Sequence, residues 1–453
     1  MLTIAALGPA GPYLTRTRTA VADASGTPVM ELSSLPELVI SDWVKLLRNS
    51  APLPPDDVSV VLEKAADVFE DERILGDTLA SHERRLTELT GTPLPVIQEC
   101  DRLITTTLRD VRHAPCLAVP AGCAPSGRVP HSRPPQGAAW YRRGEVFAVH
   151  AAGNSPGVHA MWLEALALGY RVVVRPSNHD PITPSRLIMA LREAGLPEHQ
   201  LVMTPCDHTT ARSVIERADL AQVYGGQEVV DIYRNRQDVR VQGPGRSKLV
   251  VAADSDPEVG VALAAEGALY HAGMACTATT GVLVEGDHGG FARRLAGELR
   301  RARTIPPWHG DACLPCLPIA DARRMVSAVL ERTDPGAVRL VPRAEPVGPQ
   351  GMAAITPAVV ELGSPDDPLL SCELPFPCVW VAPFDRGSLH ALDDSLVVSV
   401  HTENSGLVDQ VLALPGVANV YQSLPTSWSH PDVPHDAFLA EFLMRTKGVA
   451  RGR

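Results

Sequence analysis

Residues 145–175 read EVFAVHAAGNSPGVHAMWLEALALGYRVVVR, and they carry the strongest structural signal in the chain. The apolar run 146–150 predicts a strand. Residues 157–169 have apolar positions at helical spacing and end on glycine, which predicts a helix. Residues 171–175, three valines between two arginines, predict a buried strand. A strand, a helix and a second strand in this order predict a βαβ unit of a parallel sheet.

The alternation of strands and helices continues along the chain. Further predicted helices are 184–194 and 209–218, and further predicted strands are 201–204, 221–224, 281–284, 379–382, 396–400 and 417–422. Residues 36–112 have mainly helical periodicity, and 437–445 predict a final helix. The fold class is therefore α/β with mostly parallel sheets. In such sheets, ligands bind at the carboxyl ends of the strands.

Composition limits the classes of function. The 453 residues are 45% hydrophobic, and the net charge is -11, which argues against nucleic acid as the main partner. No apolar run reaches the length of a membrane span, and the N-terminus lacks the pattern of a signal peptide. Nine scattered cysteines favour a reducing cytoplasm over a disulfide framework. Cys313 and Cys316 form a CxxC without a second pair, so we expect no metal site.

Residues 269–285, LYHAGMACTATTGVLVE, contain the candidate nucleophile. Cys276 stands in a loop of small residues that leaves room for a substrate carbonyl. A buried structural cysteine is the alternative, because free cysteines are often buried. His271, five residues earlier, is a candidate to tune the thiol, although a helix-end histidine is the simpler interpretation.

Other loops follow predicted strands and supply candidate binding groups. Asn154 can donate its side-chain amide to an oxyanion, or it can cap a helix. Arg175 ends a strand, where it can meet a phosphate or remain solvated. Gly225 and Gly226 precede a helix and can face a pyrophosphate, or they can mark a plain turn.

The order of these pieces resembles the aldehyde dehydrogenase superfamily over roughly residues 140–405. The pieces are 153–156 (GNSP), 175–177 (RPS), 194–197 (AGLP), 243–247 (GPGRS), 273–276 (GMAC) and 373–377 (ELPFP). The resemblance implies two Rossmann-like parallel-sheet domains and a small β element used in oligomerisation. It implies catalytic roles for Cys276 and Asn154. It also implies a cofactor site made by Arg175, Ser177, Asn178, Gly225, Gly226, Glu373 and Phe376.

Three departures from the family pattern refine the hypothesis. Gln242 stands where hydrolytic members carry a glutamate base, and a neutral amide cannot take a proton from water. This form is similar to the acylating and fatty-acyl reductase branch. Asn178 replaces an acidic residue that holds ribose hydroxyls, and with Arg175 this favours NADP(H) over NAD(H). The order of Pro375 and Phe376 weakens the match around Glu373.

The main hypothesis is NADP(H)-dependent reduction of an acyl thioester to an aldehyde through a thioacyl-Cys276. The departing thiol is coenzyme A or the phosphopantetheine of an acyl carrier protein. One alternative is a conventional dehydrogenase that oxidises an aldehyde to an acid, with a base such as Glu266. Another is a cofactor-binding partner subunit with impaired turnover.

The resemblance also implies an organisation and an assembly. The expected parts are 1–115 (N-terminal helical part of the cofactor domain), 116–142 (Pro-rich excursion with an oligomerisation hairpin), 143–245 (nucleotide-binding domain), 246–415 (catalytic domain) and 416–453 (C-terminal strand and helix). Family members exchange strands between subunits, so we expect a homodimer or homotetramer. The expected exchanged segments are 137–141 and 417–422. The expected partners include no nucleic acid and no membrane.

Overall fold

The computed structural model describes residues 2–71, 73–124, 136–348 and 351–450. The strands are β1 (Leu2–Ile4), β2 (Ala6–Gly8), β3 (Gly11–Tyr13), β4 (Arg18–Ala22), β5 (Pro28–Ser33), β6 (Cys123–Ala124), β7 (Gln136–Arg142), β8 (Val146–His150), β9 (Arg171–Arg175), β10 (Leu201–Met203), β11 (Leu220–Tyr224), β12 (Val239–Gln242), β13 (Lys248–Val251), β14 (Gly281–Val284), β15 (Cys316–Pro318), β16 (Val338–Leu340), β17 (Ala344–Pro346), β18 (Met352–Ile355), β19 (Ala358–Glu361), β20 (Cys378–Pro383), β21 (Ser395–His401), β22 (Val417–Gln422) and β23 (Met444–Ala450).

The helices are α1 (Glu37–Asn49), α2 (Pro55–Asp71), α3 (Leu79–Thr90), α4 (Leu94–Arg109), α5 (His113–Leu117), α6 (Val158–Met161), α7 (Leu163–Ala167), α8 (Ile182–Glu193), α9 (His208–Arg217), α10 (Gln227–Tyr233), α11 (Pro257–Leu269), α12 (His288–Leu299), α13 (Ile319–Glu331), α14 (Ser405–Leu412) and α15 (Leu439–Leu443). Among the described residues, no helix is both long and apolar enough to cross a membrane. All nine cysteines are free.

The first seven-stranded sheet has the order β12-β11-β8-β9-β10-β2-β3. Strands β8 to β12 of this sheet run parallel to one another. Val172 and Val174 of β9 pack with α2, α4 and α8, whereas Val173 packs with α1 and α9. Successive side chains of a strand point to opposite faces, so a continuous apolar run is the expected sequence of a strand covered on both faces.

The second seven-stranded sheet has the order β16-β19-β20-β14-β13-β21-β22 and is parallel except for β16. Leu249 and Val251 of β13 pack with α11 and α12, and Val250 packs on the other side with α13 and α14. Three-stranded sheets, β1-β5-β4, β15-β18-β17 and β23-β7-β6, complete the fold. The predicted α/β class with two parallel sheets and a small β element is confirmed.

The two ends of the chain differ from the expected secondary structure. Residues 2–33 lie in the part expected to be helical, but they form strands β1 to β5. Their apolar runs are only a few residues long, and Gly11, with φ +106°, turns β2 back into β3. β2 then pairs antiparallel with β10 and extends the first sheet.

The C-terminal segments differ in part from the expected secondary structure. The predicted helix 437–445 is helical only over Leu439–Leu443, and the chain then forms β23, which pairs along its whole length with β7. Segment 417–422, expected to be exchanged between subunits, is β22, the edge strand of the second sheet, parallel to β21. Its exchange with another subunit stays a prediction. The predicted helix 157–169 is split into α6 and α7 at Trp162. Part of the Pro-rich stretch 116–142 lies outside the described residues.

Candidate active site

A cleft of about 820 Å³ opens at the carboxyl ends of the first sheet and faces the loop that carries Cys276. The loops after β8, β9 and β11 form one wall, as expected for a parallel sheet. The cleft is lined by Asn154, Ser155, Arg175, Ser177, Asn178, His179, Tyr224, Gly225, Gly226, Gln242, Gly243, Pro244, Tyr270, His271, Met274, Cys276, Thr277, Glu373, Leu374, Pro375 and His435, among others. In the described part of the chain, no three His, Cys, Asp or Glu side chains converge as metal ligands.

The Cys276 loop is held in an unusual backbone conformation. His271, Ala272 and Gly273 have φ of 45°, 59° and 72°, so three consecutive residues are left-handed just before the nucleophile. The Cys276 carbonyl accepts a hydrogen bond from Ser247 Oγ at 2.9 Å. A Cβ on Gly245 would lie 1.8 Å from that carbonyl oxygen. The glycine turn therefore lets two backbone segments approach closely and fixes the position of the thiol.

Asn154 is oriented by the nucleophile loop. Its Nδ2 donates to the Met274 carbonyl at 2.9 Å, and both Asn154 and Cys276 line the cleft. One amide hydrogen is used in this contact, and an amide nitrogen carries two. The second hydrogen can face a carbonyl oxygen bound at Cys276. The structure thus brings together the two residues that the sequence predicted for catalysis.

His435 contacts the nucleophile directly. Its Nε2 lies 3.1 Å from Cys276 Sγ, and its Nδ1 lies 3.4 Å from Asp436 Oδ1. Asp436 forms an ion pair with Arg240, whose side chain is 9% exposed. Cysteine, histidine and carboxylate in this order match the general arrangement of an activated nucleophile, its base and a group that orients the base.

The charges of this cluster reinforce one another. Burial alone would lower the pKa of His435, but the Cys276 sulfur and the Asp436 carboxylate raise it to about 10. Burial alone would raise the pKa of Asp436, but its contacts with His435 and Arg240 lower it to about 2. At neutral pH the cluster holds an imidazolium between a carboxylate and the sulfur. A cation beside a cysteine favours the thiolate form.

Gln242 lies in the same cluster. Its Nε2 donates to both oxygens of Asp436, at 3.1 and 3.3 Å. A carboxylate at this position would face the Asp436 carboxylate and repel it. The neutral amide therefore completes the hydrogen bonding of Asp436, and it cannot act as a base.

The opposite part of the cleft has features that fit a dinucleotide. Arg175 is buried and donates through Nη2 to the Cys206 carbonyl at 3.2 Å, while its Nε has no hydrogen-bond partner among the described residues. Ser177 approaches Gly153 so closely that a Cβ there would lie 2.3 Å from its Oγ. A Cβ on Gly226 would meet nothing within 4 Å, so its backbone faces open space.

Glu373 also lines the cleft, and its Oε2 accepts from the Arg246 backbone N–H at 3.4 Å. Burial raises the pKa of Glu373, although the backbone donors of Gly245 and Arg246 oppose the shift.

The sequence of this chain matches the model of the aldehyde dehydrogenase family over residues 148–394. The chain belongs to the aldehyde dehydrogenase family. This is a family of NAD(P)-dependent oxidoreductases. The match contains Asn154, Cys276 and Glu373, and it ends before His435.

Individual relatives of this family member match over shorter stretches. Betaine aldehyde dehydrogenase of Bacillus subtilis (strain 168) is 29% identical over 189 residues, which are 39% of this chain and 39% of that protein. Phenylacetaldehyde dehydrogenase of Pseudomonas fluorescens is 32% identical over 162 residues, 33% of this chain and 32% of that protein. The sequence match therefore spans only a third to two fifths of these relatives.

Similarity in fold extends over almost the whole family member. The NAD⁺ complex of an aldehyde dehydrogenase from Bacillus cereus superposes with a TM-score of 0.81. The superposition covers 99% of this chain and 96% of that chain at 16% sequence identity. This likeness establishes the fold, and the chemistry must be argued from the residues of the cleft.

The structure corrects the expectation for Phe376 and shows the surroundings of two further candidates, His271 and Glu266. Phe376, expected at the cofactor, is 1% exposed and packs in the core of the second sheet, because its neighbour Pro377 abuts the left-handed Gly273. His271, a candidate to tune the thiol, lies 3.6 Å from Glu99 Oε1. Glu266, the alternative base, is exposed on α11 and lines a separate groove.

His435 and Asp436 were missed by sequence reasoning. They lie in an irregular loop between β22 and α15, outside the segment that matches the family. The signal available was weak, a histidine followed by an aspartate in a loop rich in proline, in a chain with fifteen histidines. Only the folded chain brings this loop to Cys276.

Proposed function

We propose that this family member reduces an acyl thioester to an aldehyde through a thioacyl-Cys276, with NADP(H) as the nicotinamide. The observation that carries the proposal is Gln242, a neutral amide bound to Asp436 in the place expected for the water-activating glutamate. A thioacyl-enzyme that water attacks slowly can persist until it is reduced or passed to a thiol.

Cys276 would attack the thioester carbonyl as a thiolate. The second amide hydrogen of Asn154 would donate to the oxyanion, and such a donor is worth on the order of 3–4 kcal/mol in acyl chemistry. The departing thiol would be coenzyme A or the phosphopantetheine of an acyl carrier protein. A bound reduced nicotinamide would supply hydride, so that one thioester, one hydride and one proton give one aldehyde and one thiol.

Arg175, Ser177, Asn178, Gly225, Gly226 and Glu373 are the groups proposed to hold the nicotinamide cofactor. Arg175 lines the cleft, and its guanidinium is the group proposed to donate to a phosphate or hydroxyl oxygen. Asn178 places no negative charge beside it, which supports a cofactor with an additional phosphate. NADP(H) is therefore the proposed form, and NAD(H) is the alternative.

A second candidate function is oxidation of an aldehyde to a carboxylic acid, and His435 is the observation that favours it. Its Nε2 lies 3.1 Å from Cys276 Sγ. Once the sulfur is acylated it carries no negative charge, so the imidazole loses one of the interactions that keep it protonated. A neutral His435 can take a proton from water as well as from a thiol.

The two candidates are separated by product analysis. Purified protein is incubated with NADPH and a panel of acyl-CoA thioesters, beside the variant Cys276→Ala, and nicotinamide absorbance and products are followed. The proposal expects NADPH oxidation with aldehyde formation, absent in the variant. Reduction of NADP⁺ by aldehydes to give free acid, without any thioester turnover, would establish the second candidate instead.

We also propose a cytoplasmic homodimer or homotetramer. The nine free cysteines suit a reducing compartment. The sheet β23-β7-β6 is the proposed contact between subunits, since it stands apart from both large sheets. Light scattering at micromolar concentration tests this assembly, and a monomer would contradict it.

A further inference from the structure

The loop between β22 and α15 is fixed over the nucleophile from several sides. Asn419 Nδ2 of β22 donates to the His435 carbonyl. Arg240 of β12 donates to the Ala437 carbonyl at 2.7 Å and pairs with Asp436. These hydrogen bonds hold the main chain at His435 and just after it. The fold therefore fixes the 3.1 Å approach of His435 Nε2 to Cys276 Sγ.

We propose that His435 is the acid–base catalyst of this enzyme and that Asp436 is its positioning residue. The imidazole would protonate the thiol that leaves when Cys276 is acylated. This assignment deepens the proposed function and rests on it for the identity of the leaving group. Neither residue lies in the segment that matches the family, so the family resemblance does not supply this role.

The proton balance is written for a Cys276 thiolate that reacts beside a protonated His435. The Cys276 thiolate forms the new C–S bond to the acyl carbon, and the old C–S bond breaks with its electron pair on the departing sulfur. That sulfur takes the proton from His435 Nε2 and leaves as a neutral thiol. When the aldehyde is released, the electron pair of the broken C–S bond returns to Cys276 Sγ. His435 then takes one proton from solvent, which restores the resting state.

Other groups of the site do not fit this task. Gln242 is neutral and donates to Asp436. Glu373 accepts from the Arg246 backbone N–H, and His271 faces Glu99. Within the described chain, the charged or titratable neighbours of the Cys276–His435 pair are Asp436 in its own loop, Arg240 on β12, Tyr224 on β11 and Tyr270 just after α11.

The test is the rate of Cys276 alkylation by iodoacetamide as a function of pH, in protein without substrate. Mass spectrometry of the Cys276 peptide separates this thiol from the other eight. The His435 imidazole lies 3.1 Å from the sulfur and can take the thiol proton, so we expect His435→Gln to react about tenfold more slowly than wild type at pH 6.5. The matched control His271→Gln should follow the wild-type profile.

Overlapping profiles for His435→Gln and wild type would overturn the proposal, as would a shift caused by His271→Gln instead. The assay contains no acyl donor, so its failure is distinct from a failure to reduce thioesters.

Asp436→Asn tests positioning. We expect kcat for thioester reduction to fall about tenfold while KM changes little. The alkaline limb of the pH profile should move to lower pH, because the Asp436 carboxylate raises the pKa of His435. An unchanged kcat and pH profile would show that Asp436 does not position His435.

Discussion

The two walls of the cleft are built in different ways. The wall at the first sheet consists of short turns after β8, β9 and β11, and each turn carries its functional residue within a few positions of a strand end. The facing wall joins the Cys276 loop to the loop of His435, which is 159 positions away in sequence. The first wall is thus encoded locally, and the second exists only after folding.

This difference predicts which property of the enzyme a substitution on each wall should change. Asn154 acts at the nucleophile although it stands on the first wall, since it donates to the Met274 carbonyl. Other changes on the first wall should alter affinity for the cofactor and leave the nucleophile intact. Changes on the second wall should alter the chemistry at sulfur or the approach of its loops. The following variants test this division.

Cys276→Ser should have the largest effect. A hydroxyl beside His435 is a much weaker nucleophile than a thiolate, so kcat should fall by at least about 10³-fold. Cofactor affinity, measured by fluorescence of the bound nicotinamide, should stay within about twofold of wild type. A variant that retained turnover would show that Cys276 is not the nucleophile.

Gly245→Ala should damage the second wall through sterics alone. Its Cβ would lie 1.8 Å from the Cys276 carbonyl oxygen, so the backbone must move, at a cost of about 1–3 kcal/mol or more. We expect a lower midpoint of thermal unfolding and slower alkylation of Cys276. The matched control is Gly226→Ala on the first wall, where the added Cβ meets nothing within 4 Å. Equal behaviour of the two variants would contradict the close approach at Gly245.

Glu164 of α7 binds α15, the helix that follows the His435 loop, since its Oε1 accepts from the Ala440 backbone N–H at 2.8 Å. Burial raises the pKa of Glu164 to about 7 from 4.5, so the folded state favours the neutral acid. Its contribution to stability is complete below pH 4.5 and is lost as pH rises through about 7, a change of roughly 3 kcal/mol.

Glu164→Gln keeps the acceptor and removes the titration. Relative to wild type, the variant should therefore become more stable as pH rises from 4.5 to about 8, as measured by urea unfolding. Glu331→Gln, which neutralises an exposed carboxylate on α13, is the control and should show no such trend. Parallel stability profiles for Glu164→Gln and wild type would exclude this linkage.

Asn178→Glu should have the smallest effect and should be confined to the first wall. A carboxylate near Arg175 repels an additional phosphate and can accept hydrogen bonds from ribose hydroxyls. We expect the ratio of kcat/KM for NADPH over NADH to fall about tenfold, or about 1.4 kcal/mol. The alkylation rate of Cys276 should not change. A changed rate would contradict the claim that the cofactor wall and the nucleophile wall act separately.

The sequence allowed prediction of the parts that depend on local pattern. Strands β8 and β9 were predictable because buried parallel strands appear in a sequence as continuous apolar runs. Cys276 and Asn154 were predictable because each stands in a loop beside such a strand. The roles of the chain ends could not be predicted, because the pairing of β2 with β10 and of β23 with β7 depends on partners distant in sequence. Phe376 was misplaced because a loop motif does not reveal which side chains turn inward.

The central claim is that the thioacyl form of Cys276 is discharged by thiols and only slowly by water. The most direct measurement is the lifetime of the acyl-enzyme formed from an activated acyl ester, followed by intact mass spectrometry with and without coenzyme A and without nicotinamide. The account predicts an acyl-enzyme that persists in buffer and is discharged on addition of coenzyme A, with the acyl-CoA as product. Decay to free acid at the same rate in both conditions would contradict it.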